Sequence, residues 1–270
     1  MNPGGKGANQ AVAAARLGGN VTFIAKIGND IFGRQSKQRF EEEKISTSYM
    51  LLDPEQPSGV ALITVDKDAE NCIVVAPGAN ACMSPDDLVE ARQVIEKARV
   101  LLVQLEIPLH TVEHIVSIAA KAGVKVILNP APAFPLPDSL LRLVSILTPN
   151  KKEAEMIAGI KVVNLETAKR AAEIIKERGA ESVILTLGPE GAIVLHKGNF
   201  TRVPALPVNA LDTTGAGDVF NGALAVAISE GLDISEATHF ACKAATISVT
   251  RLGAQSSAPV KKEVELFGIT

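Results

Sequence analysis

Short, almost unbroken runs of Val, Ile and Leu alternate along this chain with longer amphipathic stretches, and no other feature constrains its fold as strongly. Apolar runs stand at 21–27, 100–105, 124–128, 145–147 and 183–187. Strands buried on both faces read in this continuous way, as they do in a parallel sheet sandwiched between helices. The stretches between them, 31–43, 111–122, 151–158 and 166–178, carry apolar residues at helical spacing, and the last ends at Gly179, a fitting C′ stop. Two further helices are expected at 217–229 and 235–250. Strand and helix therefore alternate as in an α/β protein with a mainly parallel sheet in three αβα layers.

One region departs from that rhythm. Segments 58–65 and 71–76 read as two strands joined by Asp66-Lys67-Asp68-Ala69-Glu70, a β-hairpin inserted between α/β units and a natural lid or interface flap. There is no internal repeat, low-complexity tract or Ser/Gly linker. A single domain over 1–270 with a β excursion at 58–76 is the economical organisation.

Composition narrows the function classes. A chain of 270 residues can bury a sizeable core, and 47% hydrophobic with 21% charged residues is the balance of a globular protein. No apolar run is long enough to span a bilayer, and Met1-Asn2-Pro3-Gly4-Gly5 does not have the form of a signal peptide. Cys72, Cys82 and Cys242 are odd in number and widely spaced, which suits a reducing cytoplasm and offers no disulfide framework. The net charge is −3, with no Trp and one Tyr, so the cationic stripe and stacking aromatics of a nucleic-acid binder are missing. An anionic small molecule can still be held locally by backbone amides and helix ends.

The strongest chemical signal is Asp212-Thr213-Thr214-Gly215-Ala216-Gly217-Asp218, which opens directly into an apolar helix. Its glycines let successive N–H groups converge on an anion, and the helix adds its positive end. Asp218 in that first turn is placed to take a proton from a hydroxyl, the combination that in-line phosphoryl transfer requires. An Asp at a helix start is common for capping reasons alone, but capping does not account for Gly-x-Gly-Asp preceded by Asp-Thr-Thr. Near the N-terminus, Gly4-Gly5-Lys6-Gly7 makes a cation-bearing turn before an Ala-rich helix. It is not a Walker A loop, since the spacer and the following Ser/Thr are missing, and taken alone it could be an ordinary glycine turn. Glu106 follows an apolar strand at its C-terminal end, where open α/β sheets bind ligands.

These two segments resemble the two signatures of the ribokinase, or phosphofructokinase-B type, family of carbohydrate kinases. Asp212-Thr213-Thr214-Gly215-Ala216-Gly217-Asp218, continued by Phe220-Asn221-Gly222-Ala223, is similar to the C-terminal signature. The stretch from Gly4 through Asn9 to Gly18 is similar to the N-terminal one, and the resemblance covers 4–268. It implies an ATP-dependent kinase acting on a primary hydroxyl of a sugar, with Asp218 as base and Gly215, Ala216 and Gly217 as the anion hole. Gly5, Lys6, Gly7, Ala8, Asn9 and Glu106, with Asp218, would contact the sugar. Asn150 and Glu153 would lie near the nucleotide phosphates and Mg²⁺. Thr186, Leu187, Gly188, Pro189, Glu190 and Gly191 would line the nucleotide, as would Gly217, Asp218 and Cys242. Asp212, Thr214, Ser248, Arg251, Gly253 and Ser257 would surround a K⁺ ion, with backbone carbonyls as ligands at Ser248, Arg251 and Gly253.

Gln104-Leu105-Glu106 and Asn129-Pro130-Ala131-Pro132 resemble ribokinases more than fructokinases or adenosine kinases, which implies D-ribose, with deoxyribose or another pentose as the alternative. A homodimer through the β lid is implied as well. Acidic residues in a first helical turn, such as Glu153 and Glu155, are also explained by the helix dipole alone.

Two departures from the family pattern matter. Members have a first strand and further lid strands ahead of the Gly-Gly-Lys-Gly element, whereas Met1 here almost adjoins Gly4. A misplaced start, a truncated chain or a natural short form would each give this. The expected consequence is a gap in the sheet and a sugar site without one of its Asp residues, so a non-catalytic sugar- or nucleotide-binding form stands as the rival reading. Cys242 stands where relatives have Asn or His near the adenine. Separately, His110-Thr111-Val112-Glu113-His114 fits an inverted zincin pattern, but no third ligand is evident for zinc, and solvated helix histidines explain it better.

Overall fold

The computed structural model describes residues 3–65 and 71–268, so the hairpin connection at 66–70 lies outside the described residues. In chain order the elements are α1 (Lys6–Arg16), β1 (Thr22–Gly28), α2 (Ile31–Glu42), β2 (Ser46–Asp53), β3 (Val60–Val65) and β4 (Asn71–Ala76). There follow α3 (Arg92–Lys97), β5 (Val100–Val103), α4 (Leu109–Lys121), β6 (Lys125–Leu128), α5 (Asp138–Leu141) and β7 (Ile146–Leu147). The rest is α6 (Lys151–Ala158), α7 (Leu165–Glu177), β8 (Ser182–Thr186), β9 (Ala192–His196), β10 (Asn199–Val203), α8 (Ala216–Ser229), α9 (Ile234–Ser248) and α10 (Lys261–Leu266).

The main sheet has the order β10-β9-β8-β7-β6-β5. Strands β5 to β8 pair in parallel, and β9 and β10 add an antiparallel edge. Side chains that alternate along a strand enter opposite layers. Leu185 on β8 joins Val116 and Ile175 under the helices of one face, while its neighbour Ile184 joins Leu224 and Ala241 under α8 and α9. Both are fully buried, and each such side chain stabilises the fold by about 2 kcal/mol relative to exposure. This is the three-layer αβα arrangement expected from the sequence.

Strands β1 and β2 pair in parallel with each other and form a separate two-stranded sheet. It packs on α1 and α2 through Val12, Phe40 and Met50, with Phe23 edge-on to Phe40 at 5.0 Å between ring centroids. The facing edges of β1 and β5 border a cavity of about 810 Å³, lined by Phe23, Ala25, Leu101 and Val103 among others. The hairpin β3–β4 is antiparallel, with Val60 opposite Ala76.

The parallel-sheet reading did not anticipate β2, β9 or β10. In β9–β10, His196 opposes Asn199 across Lys197 (φ 49°) and Gly198 (φ 81°), the left-handed pair of a two-residue hairpin turn. β5 ends at Val103, short of the expected 105, and Gln104–Glu106 leave the strand toward the site. Gly179 has φ 130° just past α7, the helix stop expected there.

Candidate active site

The loops following β5, β6, β7 and β8 supply Gln104–Glu106, Asn129, Thr148–Asn150 and Gly188, all at the C-terminal ends of parallel strands. The N-termini of α1 and α8 meet this edge from the opposite layer. Small residues make that meeting close: Ala13, Ala14 and Ala223 are buried between the two helices, and Gly222 faces the α1 backbone.

Asp218 lies in the first turn of α8 and is 7% exposed. Its Oδ2 accepts a hydrogen bond from Asn9 Nδ2 at 2.8 Å, and its Oδ1 accepts one from Gln10 Nε2 at 3.0 Å. Burial is the largest influence on this carboxyl and raises its proton affinity. The two amide donors and the charge of Lys6 pull it back only in part. A carboxylate so placed is a better proton acceptor than an exposed one. Asn9 Oδ1 is buried and, among the described residues, has no partner.

Gly5 caps α1 at φ 94°, a left-handed conformation that favours glycine. A Cβ there would stand 3.8 Å from Glu106 Oε2, and that oxygen accepts a hydrogen bond from the Lys6 N–H at 2.8 Å. Gly7 passes Gln104 more closely still, a Cβ meeting Gln104 Oε1 at 3.0 Å. Burial raises the Glu106 carboxyl as well; the Lys6 N–H and charge lower it, and the charge of Asp218 raises it further. Gly5, Lys6, Gly7, Ala8, Asn9, Glu106 and Asp218, expected to contact one ligand, therefore do converge.

At the start of α8 the amides of the first turn have no carbonyl four residues back within the helix. Gly215, at φ 75°, turns the chain into the helix, and the Ala216 N–H bonds to the Thr213 carbonyl at 3.2 Å. Gly217 faces open space, with nothing within 4 Å of where a Cβ would stand. The Gly217 and Asp218 amides lie beside the carboxyl in the first turn of α8, where the helix dipole favours negative charge.

Asn150 and Glu153 form a complete capping box on α6. Glu153 N donates to Asn150 Oδ1 at 2.9 Å, and Asn150 N and Nδ2 donate to the Glu153 carboxylate at 2.9 and 2.8 Å. The capping explanation for this glutamate is thus realised in the structure. Its carboxyl is nevertheless buried and raised, chiefly by burial and in part by the charge of Asp218. Thr186 bridges to Asn150, and the Lys151–Glu190 ion pair at 2.9 Å holds the turn Gly188–Glu190 beside the same helix start. Gly188 faces open space, whereas Gly191 (φ 89°) packs against the Val203 carbonyl. Cys242, on α9, faces the apolar layer at 8% exposure, with its thiol pushed up to about 12 by burial. It is a core residue more than a lining one.

Of the remaining group, Asp212, Thr214 and Gly253 are joined directly. Asp212 Oδ1 accepts the Thr214 N–H at 2.9 Å, and its Oδ2 accepts the Gly253 N–H at 2.8 Å, so one carboxylate ties the two loops. These bonds, with the Thr214 hydroxyl, hold its proton affinity below the ordinary carboxylate range. Ser248 and Ser257 are buried beside them, and Arg251 pairs with Glu263 at 2.5 Å. His110 and His114 are exposed on α4, and among the described residues no cluster of three His, Cys, Asp or Glu side chains forms around them or elsewhere.

Sequence reasoning assigned no role to the side chains of Gln10, Asn129, Thr148 and Asn221, which are buried; of these, Gln10 bonds the Asp218 carboxylate. The available signal was an Asn inside the apolar run of α8 and a Gln at the start of an Ala-rich helix.

Known proteins resemble this chain over nearly its full length. A ribokinase of Haemophilus influenzae is 46% identical over 264 residues, covering 98% of this chain and 86% of the relative. A deoxyribokinase of Salmonella typhi is 38% identical over 257 residues, 95% of this chain and 84% of the relative. Among solved structures, the ribokinase of Arabidopsis thaliana complexed with ribose and ATP superposes with a TM-score of 0.92 at 30% identity, covering 99% of this chain and 88% of that one. The ribokinase of Thermotoga maritima gives 0.89 at 39% identity, covering 98% and 87%. The model of the pfkB family carbohydrate kinases matches residues 1–261, and this chain belongs to that family.

Proposed function

We propose that this protein is a ribokinase, transferring the γ-phosphoryl group of ATP to the primary hydroxyl of D-ribose within a single catalytic domain. The observation that carries the reading is Asp218. It is a buried carboxyl of raised proton affinity, held by two amide donors at the mouth of a helix-start anion site. In the reaction Asp218 accepts the hydroxyl proton as the oxygen attacks. The Gly217 and Asp218 amides, set by the Gly215 turn and Ala216, hold the charge of the moving phosphoryl group. Lys6, Asn9 and Glu106, with the close backbone of Gly5, Gly7 and Ala8, orient the sugar. The orphaned Asn9 Oδ1 fits a sugar hydroxyl as donor.

Asn150, Glu153 and the segment from Thr186 to Gly191 border the nucleotide, with Cys242 behind it. Mg²⁺ suits a site of this kind, since it keeps most of its waters and needs few protein ligands, and when bound it neutralises phosphate charge. The loops of Asp212, Thr214, Ser248, Arg251, Gly253 and Ser257 suit a monovalent cation such as K⁺. The protein acts in the cytoplasm, in keeping with the free thiols of Cys82 and Cys242. It forms a homodimer through the lid, where Val74 and Val75 expose 61% of their surface. A monomeric mass by light scattering would remove the dimer.

An ADP-release assay with ribose and ATP tests the main reading, run beside Asp218→Asn. Turnover in the parent that is lost in the variant supports it. A chain that binds both substrates without releasing ADP is the non-catalytic form. The likeness to a deoxyribokinase makes 2-deoxyribose the comparison sugar, and a higher kcat/KM for it would reassign the substrate.

A further inference from the structure

We propose that Gln10 is the positioning residue for Asp218, its carboxamide oriented by Gln104 so that both its hydrogens meet oxygen acceptors. The inference rests on Asp218 being the base. Gln10 is 1% exposed. Its Nε2 donates to Asp218 Oδ1 and to Asn129 Oδ1, both at 3.0 Å, while its Oε1 accepts from Gln104 Nε2. An amide nitrogen carries two hydrogens, and both are used here. Turned end for end, the same group would set an oxygen against two acceptor oxygens and a nitrogen against the Gln104 donor. The orientation is therefore fixed by its surroundings.

The bonds do not stop at Asn129. Asn129 Nδ2 donates to the Thr148 carbonyl at 3.2 Å, Thr148 Oγ1 donates to Asn221 Oδ1 at 2.6 Å, and Asn221 Nδ2 donates to the Gly217 carbonyl at 2.8 Å. Gly217 precedes Asp218, so the path closes on itself. It joins the carboxyl and the peptide unit that opens the anion site to the C-terminal ends of β6 and β7. Shifting Asp218 relative to those amides would strand several buried polar groups. Gln10 is the one member that touches the carboxylate itself, and through Gln104 it reaches the loop that carries Glu106.

The test reads the Asp218 carboxyl directly, by ¹³C NMR titration of the aspartate-labelled full chain, with Asp218→Asn identifying the resonance. Gln10→Met keeps the length and burial but removes both donors. Its Asp218 midpoint moves to higher pH, because a bond that favours the charged form is gone. Its kcat falls on the order of 100-fold while KM for ribose and ATP barely changes. Gln104→Leu moves the resonance the same way by less, and adding it to Gln10→Met moves it no further, as two residues acting through one contact should. An unmoved Asp218 midpoint in Gln10→Met overturns the proposal. Should that variant not fold, an unmoved midpoint in Gln104→Leu does the same. A parent without turnover would defeat the kinase reading and leave this titration to decide the positioning role independently.

Discussion

Gly222 brings α8 so close to α1 that a Cβ at this position would stand 2.6 Å from the Gln10 carbonyl oxygen and 2.8 Å from Ala13 Cβ. That contact sets the distance across which Asn9 and Gln10 reach Asp218, one helical turn earlier on α8. Gly222→Ala must therefore push the helices apart, and a backbone carbonyl cannot swing aside as a long side chain would. We expect a stability loss of about 1–3 kcal/mol, the usual cost of overpacking. A fall in kcat should exceed what the lost stability explains. Denaturant unfolding and steady-state kinetics on the same preparation check both.

Asp218→Asn should lower kcat roughly 10²- to 10⁴-fold, with ATP affinity nearly unchanged. It should also make the protein more stable at neutral pH. Because burial lifts the Asp218 carboxyl above its ordinary value, the folded state holds that proton more tightly than the unfolded chain does. Its contribution is favourable below the unfolded value and is lost as pH rises through the folded one. The amide removes that neutral-pH cost. It also finds partners, since Asn9 can rotate its carboxamide and offer the otherwise orphaned Oδ1 to the new amide hydrogen. A gain of about 1 kcal/mol is expected. A lower melting temperature than the parent at pH 7 would contradict it.

Asp30 closes the N-terminus of α2 and holds the segment leading into the lid. Its Oδ1 accepts the Gly33 N–H and the Ser58 hydroxyl, both at 2.8 Å, and its Oδ2 accepts the Ser58 N–H at 2.7 Å. Asp30→Ala should cost about 1–2 kcal/mol, at the upper end for a lost cap. The loss should shrink in acid, because these bonds hold the carboxyl below its ordinary value and their contribution disappears as pH falls through the folded value. Urea unfolding of parent and variant across that range measures it.

Much of this architecture is legible in the sequence because burial on both faces writes itself as unbroken apolar runs. β6 and β8 show it, with Ile127, Leu128, Ile184 and Leu185 buried. β2 escaped the same reading because it opens on three consecutive polar residues, Ser46-Thr47-Ser48, on a strand that among the described residues pairs with β1 alone. In the site, Asp218, Asn9 and Glu106 stand out by motif and strand-end position. The tie between Gln10 and Asn129 does not, for it spans 119 residues of sequence and depends on the orientations of two amides. Glu153 shows the opposite limit. Helix-dipole reasoning accounts for its presence, yet only the folded chain shows a buried carboxyl sharing electrostatics with Asp218.

Asp212→Ala separates the proposed cation loop from the proposed base. The carboxylate bonds the amides of both Thr214 and Gly253, so its removal frees two loops whose carbonyls must converge for a monovalent cation to bind. The K⁺ concentration giving half-maximal activation should rise at least about 10-fold, the equivalent of losing one charge-assisted hydrogen bond of about 1.4 kcal/mol. Titrating ADP release with KCl at constant ionic strength reads it. The pH dependence supplies a second check, since the two carboxyls are displaced in opposite directions. As pH falls, the raised Asp218 takes up its proton first and kcat declines, while the lowered Asp212 stays ionised and keeps the loops joined. In the parent, half-maximal K⁺ should hold steady through the interval in which kcat falls. A K⁺ requirement that weakened in step with kcat would assign both effects to one carboxyl and remove Asp212 from the cation site.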